Sequence, residues 1–293
     1  MDIRVLRYFV SIVDEGNISN AAQKLHVSQP TLSRQIKELE EALGVTLFER
    51  GHRRIKLTQE GAYLFERARE VITLVDRTTY HLQARDMVSG TLEIGAGESD
   101  ALAPVMDALA SIMREYTEVR VNLVSGDAKL IRWKLDRGIL DFGVVMGHED
   151  LTNYESLALP TQNHWGVLMS QHDPLTAKKV VQPADLVKRP LLTSIQSRHQ
   201  DTFRDWAGDL INQYHFAGNY NLLYNAGLLV KTGACLALTY AGLVTTNAES
   251  GLVFRPLSPT MMDENNLIWA QDRPLPNVAQ LFLKRLRHRL ANN

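Results

Sequence analysis

Apolar positions in the first forty-odd residues recur at helical spacing in three separate runs. Leu6, Phe9, Val10 and Val13 predict a first helix over residues 3–13, ended by "EGN" at Glu15 to Asn17. Ser19 is placed to cap a short second helix, "NAAQKLH", whose Ala21, Ala22 and Leu25 permit close helix contact. "VS" interrupts it, and Ser28 is placed to cap a third helix that tolerates Pro30 in its first turn. Along that helix Leu32, Ile36, Leu39 and Leu43 form an apolar stripe suited to packing. The opposite face carries Pro30, Ser33, Arg34 and Lys37, flanked by Gln29 and Thr31. A helix needing only solubility would more often carry mixed Glu and Lys pairs there. Two short helices, a tight polar turn and an exposed second face form the helix-turn-helix pattern.

After Gly44, "VTLFERGHRRIKLT" is β-rich at both ends, with Ile55 and Leu57 alternating against Arg54 and Lys56. This predicts a two-stranded wing with His52, Arg53 and Arg54 at its tip. From Gln59 to about Val88 the pattern is one long helix. Leu64, Ala68, Val71, Val75, Thr78 and Leu82 alternate by four and three, with Phe65 and Ile72 beside them. Such a helix suits pairing with its copy in a second subunit, the alternative being a helix packed on its own domain.

Beyond Ser89 and Gly90 the chain alternates strand and helix. "TLEIGAG", "VRVNLVSG" and "LDFGVVM" predict strands, with helices over Asp100–Glu115 and Lys129–Arg137 between them. The order recurs as strand "PLLTSI", helix Asp201–Gln213, extended "GNYNLLYN", a short helix Gly227–Lys231 and strand "ACLALT". Alternation of this kind predicts parallel sheets covered on both faces, here in two α/β lobes. The cleft beyond the strand ends is then the expected ligand site. The expected fold class is α/β overall. Its domains are 1–58 (winged helix-turn-helix), 59–88 (linker helix) and 89–293 (the two-lobed, ligand-binding domain). Lobe I takes about 91–160 plus 267–293 and lobe II about 161–266.

Composition changes this picture little. With 293 residues, 45% hydrophobic and 22% charged, the chain has the make-up of an ordinary globular protein of two or three domains. The net charge of −1 excludes a large basic field, so any nucleic-acid role must come from local placement. Residues 1–58 hold nine Lys and Arg against seven acids, a slight local excess. The one cysteine, Cys235, sits in the apolar run "GACLAL", excludes an internal disulfide and fits a reducing cytoplasm with a buried thiol. The mixed-charge start "MDIRVLRYF" reads as no signal peptide. Ala226 to Thr246, interrupted by Lys231 and glycines, reads as a buried helix and strand rather than a membrane span.

The stretches "FVSIVDEGNISNAAQKLHVSQPTLSRQI", "LGVTLFER" and "LTQEG" resemble the winged helix-turn-helix of LysR-type transcriptional regulators. "LDRGILDFGVV" and, more loosely, "TGACLAL" resemble segments of that family's effector domain, although Thr239-Tyr240 stands where Leu-Pro is usual. The resemblance implies a DNA-binding regulator with a linker-helix dimer and a two-lobed effector domain like a periplasmic binding protein. It also implies a dimer of dimers on an interrupted promoter dyad and a small-molecule coinducer. The expected partners are double-stranded promoter DNA, the unidentified effector, and further copies of the chain as homodimer or homotetramer. RNA polymerase is a further candidate, and no membrane or other cofactor is expected.

Gln29 can pair bidentately with adenine and Arg34 with guanine or phosphate, while the Pro30 ring and Thr31 methyl suit thymine methyls. Ser28, Ser33 and Lys37 suit phosphates. Arg50, His52, Arg53 and Arg54 would place the wing on flanking backbone or minor groove. Leu64, Ala68, Val71, Val75 and Leu82 are the candidate dimer residues. In the effector domain, Ser99 matches the family's effector-binding hydroxyl, joined at strand ends by Asp100, Asp127, His148, Ser194, Gln196 and Ser197. Glu98 and Asp100 beside Ser99 weaken the usual carboxylate ligand and leave a neutral or cationic one open. The tail "LFLKRLRHRL" is amphipathic and reads as a helix closing a lobe. An enzyme is the rival class, but no G-x-S-x-G, H-E-x-x-H, P-loop or metal spacing occurs, so no catalytic or metal-binding residue is assigned. A plain solute-binding protein would lack the helix-turn-helix.

Overall fold

The computed structural model describes residues 1–49, 55–83, 88–199 and 202–292, so Arg50, His52, Arg53 and Arg54 of the expected wing tip lie outside the described residues. It divides into two compact units, Met1–Arg85 and Asp86–Asn293.

In the first unit, α1 (Ile3–Glu15) starts at Asp2, which accepts from Arg4 N, and ends at Gly16 with φ 70°. α2 (Ile18–Lys24) is capped by Asn17, which accepts from Asn20 N at 2.7 Å, rather than by the expected Ser19. Asn17 is extended and so starts the helix two residues earlier than a Ser19 cap would, which leaves Ser19 inside it. α3 (Gln29–Leu43) is capped by Ser28, whose Oγ accepts from Thr31 N at 3.3 Å. Leu32, Ile36 and Leu39 join Leu6, Phe9 and Ile12 in a shared core. Leu43, expected on that stripe, is exposed in the last turn.

Glu40 reaches forward from α3 to accept from Leu47 N at 2.6 Å, fixing the exit of the chain toward the hairpin. Phe48 and Leu57 form an antiparallel bridge, and Glu49 N donates to Lys56 O at 2.8 Å. α4 (Gln59–Gln83) then begins hard against this hairpin. A Cβ at Gly61 would stand 2.1 Å from the Leu47 carbonyl oxygen, so only glycine permits the approach. Gly61→Ala is expected to destabilise the unit by about 1–3 kcal/mol, seen as a lower midpoint in urea unfolding.

α4 divides its apolar residues between two faces. Leu64, Phe65, Ala68 and Ile72 pack into the unit's own core, Ala68 at 1% exposure, while Val71, Leu74 and Val75 are exposed. Arg7 of α1 binds Asp76 through both guanidinium nitrogens, and this pairing raises the Arg7 pKa. Val88 is already outside the helix, which the sequence pattern had carried that far.

In the second unit the strands are β1 (Gly90–Ala96), β2 (Val119–Ser125), β3 (Phe142–Met146), β4 (Tyr154–Ser170) and β5 (Pro190–Ser194), followed by β6 (His215–Tyr220), β7 (Leu236–Tyr240), β8 (Leu252–Pro256) and β9 (Met262–Ala270). The helices are α5 (Ala103–Glu115), α6 (Ala128–Asp136), α7 (Ile195–His199), α8 (Arg204–Ala207), α9 (Leu223–Lys231) and α10 (Asn277–Ala291). The strand order is β2-β1-β3-β9-β4-β7-β5-β6, with β8 also on β4. β1 is parallel to β2 and β3, and β5 is parallel to β6 and β7, so each lobe keeps a parallel kernel.

The expectation of purely parallel sheets fails at β4, β8 and β9, which pair antiparallel. β4 pairs with β9 through its first half and with β7 and β8 through its second, with a register shift between Leu159 and Asn163. Because β4 carries the chain from one lobe to the other and β9 brings it back, the two must run in opposite directions.

Two further expectations are corrected. The helix expected over Asp201–Gln213 is broken into α8 and a 3-10 turn at Gly208, which adopts φ 56°. "GNYNLLYN" is extended only to Tyr220, and α9 starts at Leu223 rather than Gly227. The start of α9 has no local side-chain cap, and Leu223 N donates instead to Glu98, distant in sequence, at 3.3 Å. α10 buries Val278, Ala279, Phe282 and Leu286 in the first lobe, beside Phe142 and Trp269. No helix among the described residues is long and apolar enough to cross a membrane.

Candidate nucleic-acid interface and ligand cleft

Capping and packing together orient α3. With Leu32, Ile36 and Leu39 turned inward, Ser28, Gln29, Pro30, Thr31, Ser33, Arg34 and Lys37 are all exposed. Five of them, Gln29 to Arg34 without Leu32, occupy the first turn and a half, the part of a recognition helix that meets base edges. Ser28 also shares a 2.7 Å hydrogen bond with the Thr31 hydroxyl, so it shapes the helix start as well as facing outward. Arg34 and Lys37 hold Glu38 and Glu41 at 3.6 Å. Pairs so exposed contribute little and yield readily to a phosphate or base.

In the second unit, strand ends from both lobes enclose a cavity of about 60 Å³. Ser194, Gln196 and Ser197 line it, as expected of them. Ser99 and Asp100 line a neighbouring cavity of about 300 Å³, which shares Gly97, Glu98 and Leu243 with the first. Asp127 and His148 line neither. Asp127 turns back to cap α6, accepting from Leu130 N at 2.7 Å, and His148 is exposed after β3.

The Ser99 hydroxyl is engaged by protein on both sides, accepting from Ala101 N at 2.9 Å and donating to Asn163 Oδ1. Asn163 Nδ2 donates to Asn265 Oδ1 at 2.7 Å, and Asn265 Nδ2 to Thr161 O at 2.7 Å. This buried chain of amides ties the end of β1 to the two crossing strands.

Sequence reasoning missed most of the cavity wall. Trp165 Nε1 donates to Asp263 Oδ2 at 2.8 Å, and the Tyr240 hydroxyl donates to the same oxygen at 2.6 Å. The Trp165 and Tyr240 rings lie 4.3 Å apart, and Phe203 packs edge-on against Trp165. Burial, followed by the charge of Asp263, pushes the Tyr240 phenol far above its usual range. Burial pushes Tyr220 up to about 12. Tyr220 donates to Leu238 O at 2.7 Å, and the buried Thr239 hydroxyl beside it works against the upward shift. The departure at Thr239-Tyr240 from the Leu-Pro of related chains was the available signal. Trp165 and Asp263, on strands the alternation did not reveal, gave none.

Cys235 is buried in the apolar cluster beneath α9, which pushes its thiol pKa up. Among the described residues no group of three or more His, Cys, Asp or Glu is placed to hold a metal.

A helix-turn-helix unit with an outward polar helix, a long following helix and a two-lobed α/β unit with a cleft define a one-chain transcriptional regulator. Residues 3–62 match the profile of the bacterial regulatory helix-turn-helix proteins of the lysR family, and residues 85–291 match the LysR substrate binding domain. The chain belongs to the LysR family.

The HTH-type transcriptional regulator BsdA of Bacillus subtilis is 36% identical over 146 residues, 49% of this chain and 50% of that protein. YtlI of the same organism, also an HTH-type transcriptional regulator, is 32% identical over 64% of this chain and 61% of its own length. The chain thus spans less than two thirds of the length of these curated relatives. Among solved structures, the LysR family regulator CbnR superposes with a TM-score of 0.74 at 22% identity over 99% of both chains. Full-length CbnR complexed with its target DNA gives 0.73, covering 98% of this chain and 99% of that one. At that identity the likeness is one of fold.

Proposed function

We propose that this protein binds an interrupted dyad in promoter DNA through α3 and changes its binding when a small molecule occupies the cleft of the second unit. One observation carries the reading: the whole polar and cationic set of α3 is exposed on one face while its apolar stripe is buried. In this reading Gln29, Pro30, Thr31, Ser33 and Arg34 face the major groove, and Ser28 and Lys37 meet phosphates. The wing residues Arg50, His52, Arg53 and Arg54 reach the flanking backbone or minor groove. The likeness in fold to CbnR, solved in complex with its target DNA, supports the DNA-binding part of this reading.

Two copies pair through the part of α4 that its own core leaves exposed, Val71, Leu74, Val75 and Thr78, with Leu82 further along the helix. Leu64 and Ala68 are spent on the unit's own core, so the pairing seam lies toward the C-terminal end of the helix. Two such dimers form the working tetramer in the cytoplasm, with RNA polymerase as the downstream partner. The role is regulatory rather than catalytic.

Ligand closes or re-angles the lobes, which alters the spacing of paired DNA-binding units and the bend of the DNA. The test is a gel-shift titration on the DNA upstream of the protein's own gene at several salt concentrations. A specific shift that weakens steeply with salt is expected, and its absence at moderate salt overturns the reading.

A further inference from the structure

One face of α4 carries its contacts with the rest of the first unit. Gly61, Phe65, Ala68 and Ile72 recur at steps of four, three and four, so they share that face, and the last three join the unit's core. Among the described residues these apolar contacts end at Ile72. Asp76 follows one turn later on the same face, and there α1 offers Arg7 in place of an apolar side chain. Arg7 Nη1 donates to Asp76 Oδ2 at 3.0 Å, and Nη2 donates to Oδ1.

This pair is too exposed to hold the fold. The Arg7 and Asp76 side chains are 40% and 54% exposed, and ion pairs so wetted add little to stability. Two parallel N–H···O bonds between planar groups nevertheless fix a direction, because they resist twist as well as separation. The direction fixed here is the tilt of α4 on α1. At the same level, on the far side of α4, Val71, Leu74, Val75 and Thr78 are exposed. In the pairing proposed above, that side meets the second copy. The Arg7–Asp76 clamp therefore braces the helix-turn-helix against the stretch that joins two such units. Without it the last hold is Ile72, one turn nearer the start of α4. Gln59 to Ile72 spans about 20 Å of helix, and a tilt of about 10° over that length displaces its end by about 3.4 Å, one base-pair step.

We propose that Arg7 and Asp76 are positioning residues for DNA recognition. By fixing the tilt of α4 they set the distance between paired recognition helices, and hence the half-site spacing that the protein accepts. This rests on α3 reading DNA and on α4 pairing two copies.

The experiment is a gel shift of the full-length protein on the fragment upstream of its own gene, footprinted to locate the two half-sites. Companion fragments have one or two base pairs inserted or deleted between them. The parent protein is expected to lose affinity roughly tenfold on a change of spacing. In Arg7→Ala and in Asp76→Ala that ratio is expected to fall to about threefold or less, with the unfolding midpoint and the affinity at the original spacing little changed. Agreement between the two variants separates the clamp from a direct phosphate contact of Arg7, which Asp76→Ala would leave intact. The exchanged pair, Arg7→Asp with Asp76→Arg, is expected to restore part of the preference. A uniform loss at every spacing overturns the proposal, as does an effect confined to Arg7→Ala. A spacing-sensitive parent with unchanged alanine variants overturns this proposal alone. A parent indifferent to spacing overturns the pairing reading and this proposal with it.

Discussion

Replacing Arg34 with alanine is expected to remove specific operator binding while leaving the protein folded and paired. Arg34 is exposed in the second turn of α3, and its one ion-pair partner, Glu38, is held at 3.6 Å in full contact with solvent. Nothing in the core depends on it. A bidentate arginine–guanine contact discriminates by about 1–3 kcal/mol, so a dimer using both copies loses roughly 2–6 kcal/mol of specific binding. Gel shift on operator and on scrambled DNA separates the two terms. Lys37→Ala, by contrast, should weaken both DNAs alike and lower the salt slope by about one. Unchanged operator affinity in Arg34→Ala, or loss of the dimer by light scattering, would place the reading face elsewhere.

The second large effect is expected from Asp263→Leu. Its carboxylate accepts from the Trp165 indole and the Tyr240 phenol, and Trp165 is 3% exposed. Leucine removes the acceptor and leaves two enclosed donors without one, each at a cost of about 1–3 kcal/mol. The loss should appear as a urea midpoint well below that of the parent protein. Asp263→Asn retains an oxygen at the same place and should keep most of the stability. Equal stability for the leucine variant would mean that water reaches both donors and that the wall is looser than the distances imply.

The first unit was readable because its signals are local. Ser28 three residues before Thr31, Pro30 in the first turn and leucines at helical spacing each act within one or two turns. Even the error there, Ser19 for Asn17, exchanged one good capping residue for another two positions away. The cleft was less readable because its parts meet only through the long-range pairing of β4 with β9. The start of α9 depends on Glu98 from another strand end, a partner that no local pattern announces. Asp127 looked like a cleft residue for the opposite reason, since its position after β2 was right but its carboxylate serves its own helix. α4 shows a third case, in which one heptad pattern served two purposes. Leu64, Phe65, Ala68 and Ile72 meet the unit's core while Val71, Leu74 and Val75 stay exposed, and spacing alone does not separate them.

The crossing strands have a mechanical consequence. The chain passes between lobes only twice, along β4 and back along β9, and the register slips between Leu159 and Asn163. Under the lobe movement proposed above, those few residues are the fulcrum about which one lobe swings on the other. Asn163 and Asn265, both almost fully buried, sit at that fulcrum, and Asp263 stands two residues from Asn265. A ligand seated in the cavity that Asp263 lines would push at the pivot rather than at the rim. At a pivot, a displacement of a fraction of an ångström becomes a swing of several at the far end of each lobe. Leverage of this kind lets a molecule of a few atoms move a much larger body, provided the amide chain keeps the pivot stiff.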